Sequence, residues 1–585
     1  MRVRGRHHCG PVLCRAQVRC ENPHHPGADR FVLSKGHAAP ILYAAWAEAG
    51  LFDRSELLKV RDISSDLEGH PTPRLSFVDV ATGSLGQGIC AAIGSALNAR
   101  RIGSDYRTYC LIGDGESAEG SVWEAAEVAA QDALDNLCCI TDVNGLGQSR
   151  PTMWQHDLEQ FARRWRAFGW HTIVINGHDI NQVLDAFAEA RATKGQPTMI
   201  VAGTVKGKGI AFTEGKDNWH GKAFKKGEEE DKVIAELNAQ FVPQQEGLDL
   251  AASITKPASR PAAPAAPGPM PAPAYKADEQ VATREAYGIA LAKLGAVDSR
   301  IVALDADVKN STFSDKFEKA FPNRFYQNFI AEQVMVGSAM GLAARGAIPF
   351  PSTFAAFLDA CGRLRPHGGH QQCQRQAGRL ARGRVDRRGR PIADGARGSR
   401  DVPGAAELRG ALSVRCGEYR EARSRDGVAR GSGVHAHQPS EDASDLRRGR
   451  DVRGIGGLKV LRESAADVAT VIGAGVTLFE ALKAHDQLKA EGIAIRVIDL
   501  YSLQPVAKDA LIAAGAATRG RITTVEDHYA AGGIGDAVSE AVSEAGIKVQ
   551  RIAVREIPRS GKPDELLERF GISASHIVAA VKSLA

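Results

Sequence analysis

Two polar side chains follow apolar segments that are predicted to be neighbouring strands. Asp114 stands in a Gly-Asp-Gly turn directly after the apolar run 109–112, and Asn144 follows a second apolar run, 137–143. The segment between them, 121–134, has apolar residues at helical spacing, which predicts a strand–helix–strand unit with parallel strands. Because ligands bind at the carboxyl ends of such strands, we expect Asp114 and Asn144 to lie close together at a binding site.

The chemical types of these groups indicate the ligand. The carboxylate of Asp114, the amide oxygen of Asn144 and the main-chain carbonyl of Leu146 are hard oxygen donors, which suit Mg²⁺ or Ca²⁺ holding a diphosphate. An alternative is an ordinary strand-to-helix turn in which the aspartate is a helix cap, and a Gly-Asp-Gly turn by itself favours that alternative. The second polar side chain, at the end of another predicted strand, favours the diphosphate site.

Several motifs around this pair carry a resemblance to a known family. The turn followed by an asparagine resembles the thiamine-diphosphate signature, and the motifs SKGHAAP, TGSLGQG, SVWEA, LGQS, IAEQ and VEDH, in this order, resemble transketolase. The resemblance covers residues 22–357 and 455–585. It implies three α/β domains, each a doubly wound parallel or mixed sheet, with thiamine diphosphate and Mg²⁺ (or Ca²⁺) as cofactors and a homodimer as the assembly.

The resemblance also implies a reaction. Transketolases transfer a two-carbon ketol unit from a ketose phosphate to an aldose phosphate through a carbanion on thiamine diphosphate, as part of the pentose phosphate pathway. The glutamate of IAEQ, Glu332, would activate the thiamine, while His37, His70 and His220 would move protons and position hydroxyl groups. Glu332 must be protonated for this role, and burial would raise its pKa in that direction. Taken alone, Glu332 could be a helix N-terminal acid and each histidine a structural residue.

The remaining site residues are implied by the same motif matches. The metal ligands would be Asp114, Asn144 and the carbonyl of Leu146. The substrate contacts would be His37, His220, Arg284 and Ser311. The residues implied to contact thiamine diphosphate all occupy positions of the family's cofactor-binding motifs. They are His37, Gly83, Ser84, Leu85, Gly113, Asp114, Asn144, Lys206, His220, Glu332 and Phe357.

The boundaries of the domains follow from composition and periodicity, and the binding role of each domain is what the resemblance implies. The predicted divisions are a diphosphate-binding domain (22–241), a Pro/Ala-rich linker (242–273), the front half of a pyrimidine-binding domain (274–357) and a C-terminal domain (455–585). Further strands are predicted at 172–175, 199–204, 301–304, 324–330, 466–472, 493–500 and 521–525. The strand at 324–330 is expected to deliver Glu332 at its end.

Two segments, 1–21 and 358–454, depart from the family's pattern. The stretch 361–453 is rich in Arg, Gly and Ala, has no lysine and shows no sustained period. The family's GSGHP, GSHxGxxxGEDGPxxQ and IRTxRP stretches are absent, and we predict that both segments arise from out-of-frame translation. The alternatives are an arginine/glycine-rich nucleic-acid segment and, near the N-terminus, a zinc cluster whose Cys and His spacings fit no standard pattern.

The loss of these stretches leaves two rival functions open. One is an inactive or damaged transketolase-like protein that lacks part of its active site. The other is a different thiamine-diphosphate enzyme, such as a deoxyxylulose-phosphate synthase, although the set of histidines and the linker favour transketolase.

The overall composition is that of a globular protein of several domains. The chain has 585 residues, of which 43% are hydrophobic and 24% charged, and no apolar run is long enough to predict a membrane span. The N-terminus has arginines but no apolar core of a secretory signal, and the ten cysteines show no disulfide framework. We therefore expect a cytoplasmic protein. The net charge of +5 is concentrated in the arginine-rich segment, so no nucleic-acid partner is expected.

Overall fold

The computed structural model describes two compact units. The described residues are 16–18, 22–240, 254–257, 261–272, 274–275, 281–354, 357–358, 456–503, 505–558 and 561–584. The first unit contains those within Met1–Pro264 and Tyr326–Pro351, and the second contains those within Ala265–Phe325 and Ser352–Asp359 together with 456–584. Almost all of the predicted out-of-frame segments lies outside the described residues. The domain boundaries and the origin of those segments stay predictions.

The first unit alternates strands and helices up to residue 240. The predicted strand–helix–strand unit is present. One strand precedes the Gly-Asp-Gly turn, the other follows the helix, and both strands are fully or almost fully buried. The elements in chain order are β1 (Arg30–Leu33), α1 (Ala39–Glu48), α2 (Gln87–Arg101), β2 (Thr108–Gly113), α3 (Gly120–Gln131), β3 (Leu137–Val143), α4 (Leu158–Ala167), β4 (His171–Asn176), α5 (Ile180–Ala192), β5 (Thr198–Gly203) and α6 (Glu228–Ala239).

These strands form one parallel sheet in the order β1-β2-β3-β5-β4. The central strands are buried along their length, which is why their sequences are continuous apolar runs rather than alternating ones. Gly113 of β2 pairs in register with Asp142 of β3. The residues that follow each strand therefore meet at one edge of the sheet, as the sequence predicted.

Residues 16–18 belong to the predicted out-of-frame segment 1–21, yet they pack into the first unit. Ala16 and Val18 are only 3% and 7% exposed and join its hydrophobic core. The backbone N–H of Val18 donates to the carbonyl of Thr255 over 2.9 Å, and the N–H of Gln17 donates to the Asp29 carboxylate over 2.9 Å. This part of the N-terminal segment therefore contributes to the fold.

The chain then passes through the linker into the front of the second unit and returns to the first. Residues 261–272 of the linker form neither helix nor strand, and the N–H of Gly268 donates to the carbonyl of Val297 over 3.0 Å. The elements that follow are α7 (Thr283–Val297), β6 (Ile301–Asp305), α8 (Lys309–Thr312), α9 (Asp315–Ala320), β7 (Phe325–Gln327), α10 (Glu332–Ala344) and β8 (Ile348–Ser352).

The predicted strand 324–330 is wrong at its carboxyl end. β7 stops at Gln327, and Glu332 does not end a strand but is the first residue of α10. Phe329 has a left-handed backbone (φ 53°), and Phe329 and Ile330 are 46% and 77% exposed in the chain. The apolar run resembled a buried strand, but a left-handed residue cannot continue a strand.

Helix α10 packs against α2 in the first unit through small residues. A Cβ atom built on Gly94 would lie 1.9 Å from the carbonyl oxygen of Ser338, and one built on Gly341 would lie 1.9 Å from the carbonyl oxygen of Ala91. The Ser338 hydroxyl also donates to the carbonyl of Cys90 over 3.4 Å. The two helix backbones are therefore in direct contact, which only glycine permits at these positions.

The second unit ends in a mixed sheet with the strand order β13-β12-β10-β11-β9. All pairs are parallel except β11 with β9, and separate hydrophobic clusters are built from its residues, as a doubly wound domain requires. In the described part of the chain, no helix has the length and apolar character needed to cross a bilayer. The elements are β9 (Lys459–Arg462), β10 (Thr470–Gly473), α11 (Val476–Ala490), β11 (Arg496–Asp499), α12 (Lys508–Ala517), β12 (Ile522–Tyr529), α13 (Ile534–Val542), β13 (Val549–Val554), α14 (Pro563–Arg569) and α15 (Ala574–Leu584).

Asp499, the last residue of β11, is expected to make this sheet more stable at low pH. Its Oδ1 is buried without a hydrogen bond, and burial raises its pKa to about 6 while Lys459 opposes the shift. The folded-state pKa lies above the unfolded value, so the stabilising contribution is complete below about pH 4 and is lost as the pH rises through about 6. At pH 8, Asp499→Asn should therefore stabilise the sheet by about 2 kcal/mol, with little effect at pH 4.

Hydrogen exchange of β10–β12 at both pH values would measure this difference. The control is Asp486→Asn, because the Asp486 side chain is 74% exposed. Equal exchange rates for Asp499→Asn and the parent chain at pH 8 would contradict the prediction.

Candidate active site

Asp114 lies buried at the end of β2 and organises the turn around it. Its Oδ2 accepts hydrogen bonds from the N–H of Gly145 (2.8 Å) and the hydroxyl of Thr152 (3.0 Å), and its Oδ1 accepts one from the N–H of Gly115 (2.8 Å). Burial raises the pKa of Asp114, and these hydrogen bonds oppose the rise. Gly145 has φ 75°, and a Cβ there would lie 2.6 Å from the His156 ring, so the turn requires glycine.

The other two predicted metal ligands, Asn144 and Leu146, lie in the loop that follows β3. The Asn144 side-chain oxygen accepts from the N–H of Leu146 over 3.1 Å, and the Lys206 ammonium donates to the carbonyl oxygens of Leu146 and Gly147, each over 3.3 Å. Within the described ranges, no group of three or more His, Cys, Asp and Glu side chains is arranged to hold a metal ion. A cation here would depend on amide and carbonyl oxygens as well as on Asp114.

Lys35 introduces a buried positive charge at the same sheet edge, which the sequence analysis did not foresee. Its ammonium pairs with the carboxylate of Asp142, and the two side chains are 12% and 15% exposed. Burial disfavours the charged lysine, but the attraction of Asp142 outweighs it, and the pKa of Lys35 is raised. Asp142 also accepts hydrogen bonds from Asn144 and from the Thr204 hydroxyl, so the pair fixes the ends of β3 and β5.

Glu116 connects three motifs that are far apart in sequence. Its carboxylate accepts hydrogen bonds from the hydroxyl of Ser34, the N–H of Gly86 (2.8 Å) and the N–H of Gly113 (3.0 Å). The residue is 2% exposed, and burial raises its pKa although these donors oppose the rise. The SKGH motif, the TGSLGQG motif and the Gly-Asp-Gly turn are thus held by one side chain.

The TGSLGQG loop approaches the SKGH motif and one of the predicted histidines. Gly83 has φ 138°, and a Cβ built there would lie 3.1 Å from the His70 ring. A Cβ on Gly36 would lie 2.8 Å from the backbone nitrogen of Gly83. Ser84 and Leu85 are half-buried in the turn that leads into α2. The loop therefore leaves a backbone surface free of side chains, next to His70.

His37 and His220 are brought together, and Lys206 orients the second ring. The ring centroids of the two histidines are 4.6 Å apart, and the Lys206 ammonium lies 2.9 Å from Nδ1 of His220. Because an ammonium group can only donate, Nδ1 of His220 accepts and its proton resides on Nε2. Burial, Lys35, His220 and Lys206 lower the pKa of His37 to about 3, and burial with Lys206 lowers that of His220.

Glu332 starts α10 next to a second carboxylic acid. Burial raises the pKa of Glu332, the direction that its predicted role needs. Burial, and then the proximity of Glu332, raise the pKa of Glu124, which also bonds to Gln333. The first unit therefore carries two neighbouring carboxyl groups whose pKa values are both raised.

The remaining predicted site residues belong to the second unit. The Arg284 guanidinium lies 5.6 Å from the ring centroid of Phe313, two residues beyond Ser311 in α8. Phe357 is 44% exposed, and its ring centroid is 5.3 Å from that of Phe354. Arg284 therefore lies near the end of the helix that carries Ser311.

Three family models match successive parts of the chain. They are described as the transketolase thiamine diphosphate binding domain (residues 6–246), the transketolase pyrimidine binding domain (279–379) and the transketolase C-terminal domain (456–577). A mouse transketolase is 44% identical over 577 residues, which cover 96% of this chain and 90% of the relative. The chain belongs to the transketolase family.

Further relatives and solved structures agree with this transketolase assignment. Human transketolase is 44% identical over 584 residues (97% of this chain, 90% of the relative), and mouse transketolase-like protein 2 is 45% identical over 588 residues (96% and 89%). The fold matches the crystal structure of Campylobacter jejuni transketolase with a TM-score of 0.71 at 22% identity, covering 98% of this chain and 94% of that one. Transketolase from Leishmania mexicana matches with a TM-score of 0.68 at 21% identity, covering 98% and 92%. The predicted three-domain α/β transketolase fold is confirmed.

Sequence reasoning missed Lys35, Asp142 and Glu116 as organisers of this candidate site. Lys35 stands inside the SKGH motif, and Glu116 directly follows the Gly-Asp-Gly turn. A lysine and a glutamate in turns are usually solvated, and nothing in their local sequence indicates burial. Only the pairing of β1, β2 and β3 brings these charges together.

Proposed function

We propose that this chain is an active transketolase that transfers a two-carbon ketol unit from a ketose phosphate to an aldose phosphate. The observation that carries the proposal is the convergence of Asp114, Asn144, Lys206, His37 and His220 at one edge of the parallel sheet. In a transketolase-family chain, this edge offers hard oxygen donors, an ammonium group and two imidazoles of lowered pKa within one cluster.

The residues present fit thiamine diphosphate and a divalent cation. Asp114, Asn144 and the carbonyl of Leu146 would hold Mg²⁺ or Ca²⁺, both of which prefer such oxygens. The Lys206 ammonium bonds to two carbonyls and one imidazole nitrogen, all neutral, so its charge is available to a diphosphate. Gly83, where a side chain would meet the His70 ring, together with Ser84, Leu85 and Gly113, would let the cofactor approach the backbone. The cofactor, when bound, supplies the electron sink for carbon–carbon cleavage.

Glu332 would hold a proton for the aminopyrimidine nitrogen of the cofactor. Burial raises the pKa of Glu332, which favours the protonated carboxyl group, and only that form can donate a hydrogen bond. Phe357 would supply the aromatic face against the same ring. Because Glu332 is the first residue of α10, the helix fixes the position of its backbone.

The histidines would act as neutral groups. With a pKa of about 3, His37 carries no charge at neutral pH, and His220 presents its Nε2 proton as a hydrogen-bond donor. These imidazoles would orient substrate hydroxyl groups and take or return protons, with His70 beside the glycine loop as a third. Arg284 and Ser311 would bind the substrate phosphate.

The assembly and location extend the proposal. We place the enzyme in the cytoplasm as a homodimer whose cofactor lies between the diphosphate domain of one subunit and the pyrimidine domain of the other. The curated relatives, named transketolases at 44% identity, support this reaction over that of a deoxyxylulose-phosphate synthase.

A second candidate is an inactive member of the family. The matched family models leave residues 380–455 uncovered, and this range contains most of the arginine-rich segment. The relatives include proteins named transketolase-like as well as transketolases. An inactive member would fold in part and would bind the cofactor weakly or not at all.

Thermal melting with thiamine diphosphate and Mg²⁺ tests the cofactor site. A ligand at one hundred times its Kd stabilises the folded state by about 2.7 kcal/mol, so the melting temperature should rise clearly. Asp114→Asn should lose most of this rise, because it removes the anionic metal ligand. Asp105→Asn, at an exposed position, should keep it.

A transfer assay with a ketose phosphate donor and an aldose phosphate acceptor separates the two candidates. Cofactor binding with ketol transfer supports the active enzyme. Absence of transfer, with a small melting shift or none for the parent chain, supports the inactive member, and ketol transfer contradicts it.

A further inference from the structure

The connection between β5 and α6, residues 204–227, folds around aromatic side chains of its own. The ring centroids are 5.4 Å apart for Phe212 and Trp219, 5.8 Å for Phe212 and Phe224, and 5.6 Å for Trp219 and Phe224. Each pair is within the range of favourable aromatic contacts, and all three side chains are half-buried. We call Phe212, Trp219 and Phe224 the aromatic lobe.

Hydrogen bonds close this connection on itself and tie it to α6. The N–H of Gly215 donates to the carbonyl of Lys206 over 2.9 Å, so the first part of the loop returns to its start. The N–H of Ala211 donates to the Glu236 carboxylate of α6 over 2.7 Å. A loop that packs its own side chains and closes its ends is a unit that can present a functional residue.

The dipeptide Trp219-His220 lies between two left-handed residues. Asn218 has φ 68° and Gly221 has φ 67°. Outside glycine, such a conformation is held only where the surrounding contacts determine it. A Cβ built on Gly221 would meet nothing within 4 Å, so no neighbouring atoms hold the backbone at Gly221 in this conformation from the side of the Cβ. The ring contacts of Trp219 with Phe212 and Phe224 can therefore help to fix the dipeptide.

The second residue of this dipeptide reaches the candidate active site. Nδ1 of His220 is 2.9 Å from the Lys206 ammonium, and its ring lies 4.6 Å from that of His37. Trp219 and His220 are joined by one peptide bond, so a shift of the tryptophan moves the imidazole with it. The aromatic lobe and the histidine pair are thus mechanically linked.

The geometry points to Trp219, supported by Phe212 and Phe224, as a positioning residue that holds the His220 imidazole against Lys206 and His37. The role of His220 in ketol transfer rests on the function proposed above. The placement of its ring by the aromatic lobe does not, and it can be measured without cofactor or substrate.

Chemical modification of the ligand-free full chain tests the placement. Diethyl pyrocarbonate acylates the free lone pair of a neutral imidazole, and in the parent chain that lone pair of His220 accepts from Lys206. Trp219→Ala should therefore raise the rate of His220 modification about fivefold or more, as a local opening would. Hydrogen exchange in residues 204–227 should rise in parallel, while Trp219→Phe should remain close to the parent.

The matched control is Phe52→Ala, which removes a half-buried aromatic whose ring is 5.9 Å from that of Phe77, outside the candidate site. It should leave the modification of His220 unchanged. If Trp219→Ala modifies His220 at the parental rate, or if Phe52→Ala raises that rate as much, the aromatic lobe does not position the imidazole.

A double-mutant cycle connects the placement to turnover. We expect Trp219→Ala to lower kcat/KM for ketol transfer by about 10- to 100-fold, as a small misplacement of a reacting group does. In a His220→Ala background the same change should cost less than about twofold, since it acts through the missing imidazole. Additive losses would overturn the proposal. A parent chain without transfer activity would contradict the proposed function alone, because the modification experiment still decides the placement.

Discussion

Replacing Glu116 by alanine is expected to lower the free energy of unfolding of the first unit by about 3–5 kcal/mol, because it leaves buried N–H donors without acceptors. The backbone N–H groups of Gly86 and Gly113 and the hydroxyl of Ser34 all donate to this carboxylate. Burial has already removed water as an alternative partner. The same change should weaken thiamine diphosphate binding, since the motifs that Glu116 connects would separate.

Urea unfolding followed by tryptophan fluorescence measures this effect in the correct unit. All six tryptophans lie between residues 46 and 219 and therefore report only on the first unit. Glu127→Ala removes an exposed glutamate from α3 and should change the stability by less than about 0.5 kcal/mol. Similar midpoints for Glu116→Ala and Glu127→Ala would show that the buried carboxylate is not a structural connection.

Gly341→Ala should destabilise the first unit by about 3 kcal/mol, at the upper end of the cost of overpacking. A glycine-to-alanine change inside a helix ordinarily stabilises by about 1 kcal/mol, so the sign of the effect is diagnostic. Here the new methyl group would lie 1.9 Å from the carbonyl oxygen of Ala91 and 2.8 Å from the backbone nitrogen of Ser95. Backbone atoms cannot rotate away, and α2 and α10 must separate.

The comparison for this second variant is Gly120→Ala in α3. A Cβ at Gly120 would meet nothing within 4 Å, so this change should be neutral or slightly stabilising. The same fluorescence experiment compares the two. A Gly341→Ala chain as stable as Gly120→Ala would mean that the helices do not touch as described.

The sequence alone was sufficient for the parallel sheet and for the position of Asp114 and Asn144. Continuous apolar runs predicted β2 and β3 within a residue or two of their bounds, because strands buried on both faces are mostly apolar along their length. The right-handed connection rule then placed both side chains at one edge. The cofactor family followed from the order of short motifs rather than from any one of them.

Other features depend on long-range packing and left no local signal. Lys35 pairs with Asp142 across 107 residues, and Glu116 bonds to Ser34 across 82. The apolar run before Glu332 was interpreted as a strand, because sequence cannot show that Phe329 adopts a left-handed turn and is exposed. The order of the motifs singled out Glu332 as a candidate, although the element that carries it was predicted incorrectly.

The contact between α2 and α10 also determines when the first unit can be completed during synthesis. The hydroxyl of Ser338 and the carbonyl of Cys90 that it meets are separated by 248 residues. At the usual rate of translation, about 12–50 s pass between the synthesis of the α2 surface that contacts α10 and the synthesis of α10 itself. Throughout that interval the nascent chain exposes an apolar, closely packing surface, so newly made protein should be a client of ribosome-associated chaperones until α10 emerges.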